Sequence, residues 1–413
     1  MSSVLFEPIT ACRICHSEQI RTVLDLGEQP PANSLRNRLE EALPVVPLSI
    51  CRCNNCATVQ LTETVKPEYL FKNYVWVTGT SAMAKEYSRR FFEESARRCG
   101  DRPLFVVEVA SNDGTFLRQF QERGHRVLGV DPAENIARIA QEQGIATWTE
   151  FFGRKVADKI VREHGHADFV FARNVLPHVE DAHDVVSGMS HCLSAEATGA
   201  IEFHHAQCIV DGLQYDSIYH EHLLYLSIRN LSYLLEQHGL WAFDLIESPI
   251  SGGSIVVYFS KNRRAQSRVF TQKLEAEDRS GLGSQETWER FAQECFAHRD
   301  RLVGIINEEI ARGSTVVGYG ASARSSTLLN FCGINDRHLT CIADQNPIKH
   351  NRYTAGTNIL IVPPEVALSR KPAAILLLAW NFKDELLSLL RDRYQFRGRV
   401  IIPLPNNPEI ISL

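Results

Sequence analysis

Leu104-Phe-Val-Val-Glu-Val-Ala-Ser-Asn-Asp-Gly114 is an apolar strand that passes through Glu108 into a turn of small residues, and a helix over Thr115–Arg123 follows. In an open α/β sheet, ligands bind where the first strand meets its helix, and small residues let the backbone come close. Next, Arg126-Val-Leu-Gly-Val-Asp131 is a second strand ending in a carboxylate, the position that takes a ribose diol. Further apolar runs at Ala167–Ala172, Ala200–Phe203, Trp241–Ile246 and Ser254–Phe259 alternate with helical stretches. Such alternation predicts a parallel sheet with helices on both faces. Asn174, in Phe171-Ala-Arg-Asn-Val-Leu-Pro-His178, falls at the same carboxyl edge of that sheet.

By its physics this edge suits S-adenosylmethionine or a dinucleotide. Two details favour the former: the glycines do not spell G-x-G-x-x-G, and Glu108 stands where class I methyltransferases carry an acid. Around this centre the chain has 413 residues, so two to three domains are expected. Its 44 basic and 49 acidic side chains leave a formal charge of −5, with no electrostatic footprint for nucleic acid or an anionic membrane. The apolar stretch Ala373–Trp380 is far shorter than the roughly 20 residues that span a bilayer. Met1–Pro8 has neither a basic nor an apolar signal region, so a cytoplasmic protein is expected.

Eleven cysteines, an odd number, argue against a disulfide framework, and five of them fall before residue 57. Cys12-Arg-Ile-Cys15 and Cys53-Asn-Asn-Cys56 form two knuckles whose thiolates suit one tetrahedral zinc ion. Cys51 and His16 are rival ligands. Four thiolates leave no open coordination position, so the metal would be structural. The proline-bearing segment 1–70 reads as a small loop-rich module.

In Ile218-Tyr-His-Glu-His222, the residues Tyr219, His220, Glu221 and His222 are consecutive, with His204, His205 and Tyr215 nearby. Histidine suits proton abstraction near neutral pH, and a glutamate beside it can orient the imidazole and raise its basicity. Residues 261–312 read as a connector followed by a long helix. The alternation then restarts at Thr315–Gly318, Leu339–Ala343, Ile359–Ile361, Ala373–Leu378 and Arg399–Ile402. There, Gly318-Tyr-Gly320-Ala321 opens a helix containing Arg324, and Asp344 ends the following strand. Backbone N–H groups at a helix start beside a guanidinium form a natural pyrophosphate site.

Along nearly its whole length the sequence resembles the nucleotide-sugar C-methyltransferases of branched deoxysugar pathways, which methylate C3 of 4-keto sugars. The resemblance is carried by the two cysteine knuckles, Pro30-Pro-Ala-Asn33, Ser111-Asn-Asp-Gly114, Gly129-Val-Asp-Pro132, Asp216-Ser-Ile-Tyr-His-Glu-His222, Gly318-Tyr-Gly-Ala321 and Asp344-Gln-Asn-Pro347. It implies a zinc-binding module (1–70), a Rossmann-like class I methyltransferase domain (71–260) and a linker helix with a C-terminal Rossmann-like α/β domain (261–413). It further implies S-adenosylmethionine held by Glu108, Ala110, Asn112, Gly114, Asp131 and Asn174, and structural zinc on Cys12, Cys15, Cys53 and Cys56. His222 would be the general base, with Glu221 assisting and Tyr219 and His178 stabilising an enolate. Trp76, Gly320, Arg324 and Asp344 would hold the acceptor, a nucleotide-diphosphate sugar. The oligomeric state is open, a monomer favoured.

The chain departs from the family pattern at several places. Ala110 replaces a glycine, Trp76 a tyrosine, Ser325-Ser326 a Gly-Asn pair and Ser251 a histidine; Asn351, Ala355 and Leu360 also differ. Most lie where the acceptor would sit, so the rival reading is O-, N- or C-methylation of a non-sugar acceptor on the same fold. A zinc-bearing scaffold without turnover is a weaker rival, because it has no use for a titratable cluster.

Overall fold

The computed structural model describes residues 5–71 and 77–413. Its centre is a seven-stranded sheet in the order Trp241–Ser248, Ser254–Ser260, Leu193–His204, Ala167–Arg173, Phe105–Val109, Arg126–Val130, Thr147–Trp148. Six of the seven strands point the same way, as the alternation predicts, but Ser254–Ser260 is antiparallel to both of its neighbours. The reason lies in the chain: only residues 249–253 join it to Trp241–Ser248, far too few for a parallel crossover. Phe105–Val109 is buried at every position, as a strand covered on both faces must be.

The first segment is not loop-rich. Ile20–Gln29, Val46–Cys53 and Val59–Leu61 form an antiparallel sheet, and its fourth strand, Leu224–Tyr225, comes from the middle of the chain. Val46–Cys53 largely alternates buried and half-buried residues, the period of a strand with one face on a core, although prolines and cysteines mask it in the sequence. The third sheet is ordered Ile361–Val362, Ile342–Ala343, Val316–Tyr319, Ala374–Leu377, Arg399–Ile402, Glu409–Ser412. Its last strand is an antiparallel edge that the sequence reading did not foresee. The connector also carries a helix, Arg268–Ser280, before the expected long one, Gln285–Ala311.

One apolar core runs through Leu24 and Ile50 of the first sheet, Tyr215 and Ile218 of the central segment, Trp288 of the long helix and Val317 of the third sheet. The first and third sheets therefore meet behind residues 215–225, and Leu224 packs into the core of the central sheet, so the three larger sheets converge on this segment. At about 25 cal/mol per Å² of apolar surface, each such side chain contributes on the order of 1.5–3 kcal/mol to holding them together. Among the described residues, no helix is long and apolar enough to cross a membrane.

Candidate active site and metal centre

A cavity of about 510 Å³ opens at the carboxyl edge of the central sheet. Glu108, Ala110, Asn112, Asp131 and Asn174 line it on one side, and His178, Tyr219, His222 and Arg324 on another. Three of these wall residues adopt left-handed backbone: Ala110 (φ 50°), Asn112 (φ 49°) and Asn174 (φ 52°). Asparagine tolerates this region, whereas alanine at φ near +50° costs about 1 kcal/mol. Gly114 does not face the cavity. Its φ of 76° opens the helix Thr115–Gln121, and a Cβ there would lie 2.9 Å from Ile145.

The wall is strongly acidic. Asp131 is buried and accepts hydrogen bonds from the backbone N–H of Asn112 (2.8 Å) and of Ala133 (2.9 Å). Burial pushes its carboxyl above the usual range. Glu108 is raised well above its ordinary value by burial, against the pull of Arg173, and one of its oxygens finds no hydrogen-bond partner in the protein. Arg173, missed in the sequence although it adjoins Asn174, is paired through Nε with buried Glu202 at 2.6 Å. Orphaned Glu108, beside three more carboxylates (Asp113, Asp131, Glu202) and one committed cation, suits a ligand that brings positive charge. S-adenosylmethionine, with its ammonium and sulfonium, is such a ligand.

Across the cavity, His222 is held at both ring nitrogens. A backbone carbonyl only accepts, so Nδ1–H donates to Ser217 O (2.9 Å). Burial and neighbouring His178 lower the His222 pKa well below the ordinary range; the ring is neutral, and its Nε2 accepts from the Tyr219 hydroxyl at 2.7 Å. His178 lies edge-on, 4.7 Å between ring centroids, pushed down to about 4 by burial. Glu221 does not assist in the way the sequence suggests. Adjacent side chains in this irregular segment diverge, and its carboxylate accepts from Asn33 of the first module instead. Burial raises that carboxyl to about 7. His220 likewise points away, to the carbonyl of Val46 (3.2 Å).

Arg324 reaches this cavity rather than a nucleotide cradle in its own sheet. Its guanidinium donates to buried Asp216 (2.7 and 3.1 Å) and to Gln214 (3.1 Å), and it lies over the Trp380 ring. Gly320 and Asp344 do not line the cavity. A Cβ on Gly320 would meet Ala379 at 2.5 Å, so tight packing accounts for it. Asp344 is occupied by the N–H groups of Ala321 (2.7 Å) and Asn346 (2.8 Å). Trp76 lies outside the described residues.

At the far end of the first sheet the sulfurs of Cys12, Cys15, Cys53 and Cys56 all lie within 4.8 Å of one another. Cys12–Cys56 and Cys15–Cys53 are 3.6 and 3.5 Å apart, close to the roughly 3.8 Å edge of a tetrahedron built on 2.3 Å Zn–S bonds. Backbone N–H groups of Ile14 and Asn55 point at Cys12 and Cys53, which suits thiolates. Cys51 and His16 are outside this set. The knuckle is anchored: Arg13 is buried on Gln60, Leu61 O and Thr64, and His183 of the central segment donates to Ile14 O (2.8 Å).

The chain is 32% identical over 414 residues to the C-methyltransferase NovU of Streptomyces niveus, covering 99% of this chain and 98% of that one. The chain belongs to the C-methyltransferases. Family models match this C-methyltransferase as a zinc binding domain over residues 12–71, a methyltransferase domain over 81–242 and a C-methyltransferase C-terminal domain over 249–405. It is thus an S-adenosylmethionine-dependent enzyme with a structural zinc site. Solved structures similar to part of it include magnesium protoporphyrin IX methyltransferase of Synechocystis PCC 6803 (14% identity, 43% of this chain and 79% of that one, TM-score 0.33). Another is the CcbJ methyltransferase of Streptomyces caelestis (12% identity, 46% and 99%, TM-score 0.34). These likenesses are too slight to bear on the site.

Proposed function

We propose that this C-methyltransferase deprotonates the carbon next to the ketone of a nucleotide-linked 4-keto deoxysugar and methylates it, in the biosynthesis of a branched deoxysugar. One observation carries the reading: a neutral imidazole, His222, is fixed at Nδ1 by a carbonyl and faces the same cavity as the acidic cofactor wall. Neutrality at pH 7 leaves Nε2 able to accept a proton. A C–H beside a ketone becomes removable only when the enolate oxygen is met by a donor. Tyr219 supplies it by exchanging its hydrogen bond from Nε2 to the ketone oxygen, and His178 stands edge-on beside the pair. S-adenosylmethionine supplies an electrophilic methyl group. Glu108 and Asp131 hold its cationic and ribose ends, so that positioning of two substrates carries much of the rate. The sugar and its nucleotide rest on the family resemblance.

The test is methyl-labelled cofactor with candidate nucleotide 4-keto sugars, followed by solvent exchange at the carbon beside the ketone. Label on carbon is expected, with exchange that depends on His222. His222→Asn should leave affinity for S-adenosylhomocysteine within a few-fold and cut turnover about 100-fold or more. Label solely on oxygen or nitrogen overturns the reaction, and near-normal turnover of the variant removes His222 from the base role.

A further inference from the structure

Buried polar atoms in native proteins are almost always hydrogen-bonded, so those that are not call for an explanation. The cavity wall holds several, and they fall into two groups. Glu108 and Ser111 sit on the cofactor edge. His204 and Ser217 sit with the Tyr219–His222 pair, and neither the His204 ring nor the Ser217 hydroxyl has a role in the reading above. His204 ends the strand Leu193–His204, is 7% exposed, and its Nε2 has no hydrogen-bond partner in the protein. Ser217 is 1% exposed, and its Oγ is equally unpartnered. The carbonyl of this same Ser217 anchors His222 Nδ1, so a group bound at its hydroxyl lies next to the base. Tyr225 also has an unpartnered hydroxyl, but its side chain divides this cavity from a second one.

We propose that His204 and Ser217 form the acceptor subsite, each hydrogen-bonding an uncharged oxygen of a carbohydrate-like ring whose neighbouring carbon faces His222. This rests on the C-methyltransfer reading above and names what that reading leaves open. A serine hydroxyl and a neutral imidazole both donate and accept, as a sugar hydroxyl does. A phosphate or carboxylate would use only donors and would be desolvated beside neutral groups. The cation on this side, Arg324, is held by Asp216 and Gln214. An acceptor's diphosphate therefore belongs outside this subsite.

The zinc-loaded full-length enzyme tests this with Ser217→Ala, which keeps the carbonyl that holds His222, and with His204→Phe and His204→Gln. The probes are a nucleotide-linked 4-keto-6-deoxyhexose and analogues each lacking one ring hydroxyl. Expected for Ser217→Ala and His204→Phe is a KM raised about 5- to 10-fold, with kcat within about 3-fold and S-adenosylhomocysteine affinity unchanged. Each should also lose the penalty against one deoxy analogue, and His204→Gln should recover part of the loss. The melting temperature of Ser217→Ala should stay level or rise, because a buried hydroxyl without a partner in the free enzyme is removed; a structural role would lower it. Unmoved KM values, or undiminished discrimination against every deoxy analogue, overturn the subsite while wild-type methylation of the sugar upholds the reaction. A wild-type enzyme that neither binds nor methylates any of these sugars overturns both.

Discussion

The central and C-terminal sheets repeat one device: a strand, a tight turn and a carboxylate at the end of the next strand that catches the turn's N–H. Asp131 does so with Asn112 (2.8 Å), and Asp344 with Ala321 (2.7 Å). What differs is how completely the surrounding groups are used. In the C-terminal turn Lys349 donates to Ala321 O (2.7 Å) and pairs with Asp344, while Gly320 makes room for Ala379. In the central turn Glu108 keeps an unpartnered oxygen, Ser111 an unpartnered hydroxyl, and Ala110 a left-handed backbone. The shared architecture supplies the turn; the unspent side-chain chemistry marks where a ligand goes.

The contrast breaks if the two carboxylates prove interchangeable. Asp131→Ala should weaken S-adenosylhomocysteine binding about 100-fold by calorimetry, through loss of two charge-assisted hydrogen bonds to the ribose. Asp344→Ala should leave that affinity unchanged and lower stability by about 2 kcal/mol in denaturant, since it removes the acceptor for two backbone N–H groups. Equal effects on binding would put a ligand in the C-terminal turn after all.

Sharpening comes from pH. Glu221 titrates near 7 in the folded protein because it is buried, against 4.5 ordinarily. Between those values the native state holds a proton that the unfolded chain has released, so its contribution is present at low pH and is lost as pH rises through 7. Chemical denaturation at pH 5.5 and 8 should show a component on the order of 2 kcal/mol that falls with pH and that Glu221→Gln abolishes. A decline that survives in the variant assigns it elsewhere.

The smallest effects concern the turns themselves. Ala110→Gly relieves left-handed strain but gives the unfolded chain more freedom, so a change within about 1 kcal/mol is expected by thermal melting. Gly320→Ala meets Ala379 and takes on φ 98°, at a cost of about 2 kcal/mol or more. A larger loss from the first than from the second would reverse the reading of which turn is filled by packing.

Much of this was legible in the sequence wherever the signal was local. The strand–turn–acid pattern at Phe105–Asp131 and the paired C-x-x-C knuckles identified their elements because spacing alone constrains them. The reversal of strand Ser254–Ser260 was missed although its short connection carries the signal, and the edge strand Glu409–Ser412 was missed because its residues are mostly exposed. Partnerships across the chain were hidden. Nothing local says that Glu221 turns to Asn33, that Arg324 is held by Asp216, or that the hydroxyl of Ser217 is left over. Those outcomes depend on three sheets converging on residues 215–225.

That convergence limits how the molecule can be taken apart. Leu224–Tyr225, two residues after His222, is zipped onto the sheet that carries the cysteine knuckles, and Ile218 O, four residues before it, accepts from Thr327 of the C-terminal segment (2.8 Å). A fragment cut to the central sheet would keep the strand–turn–acid edge and lose both anchors of the segment that carries His222, so the three modules are not exchangeable cassettes.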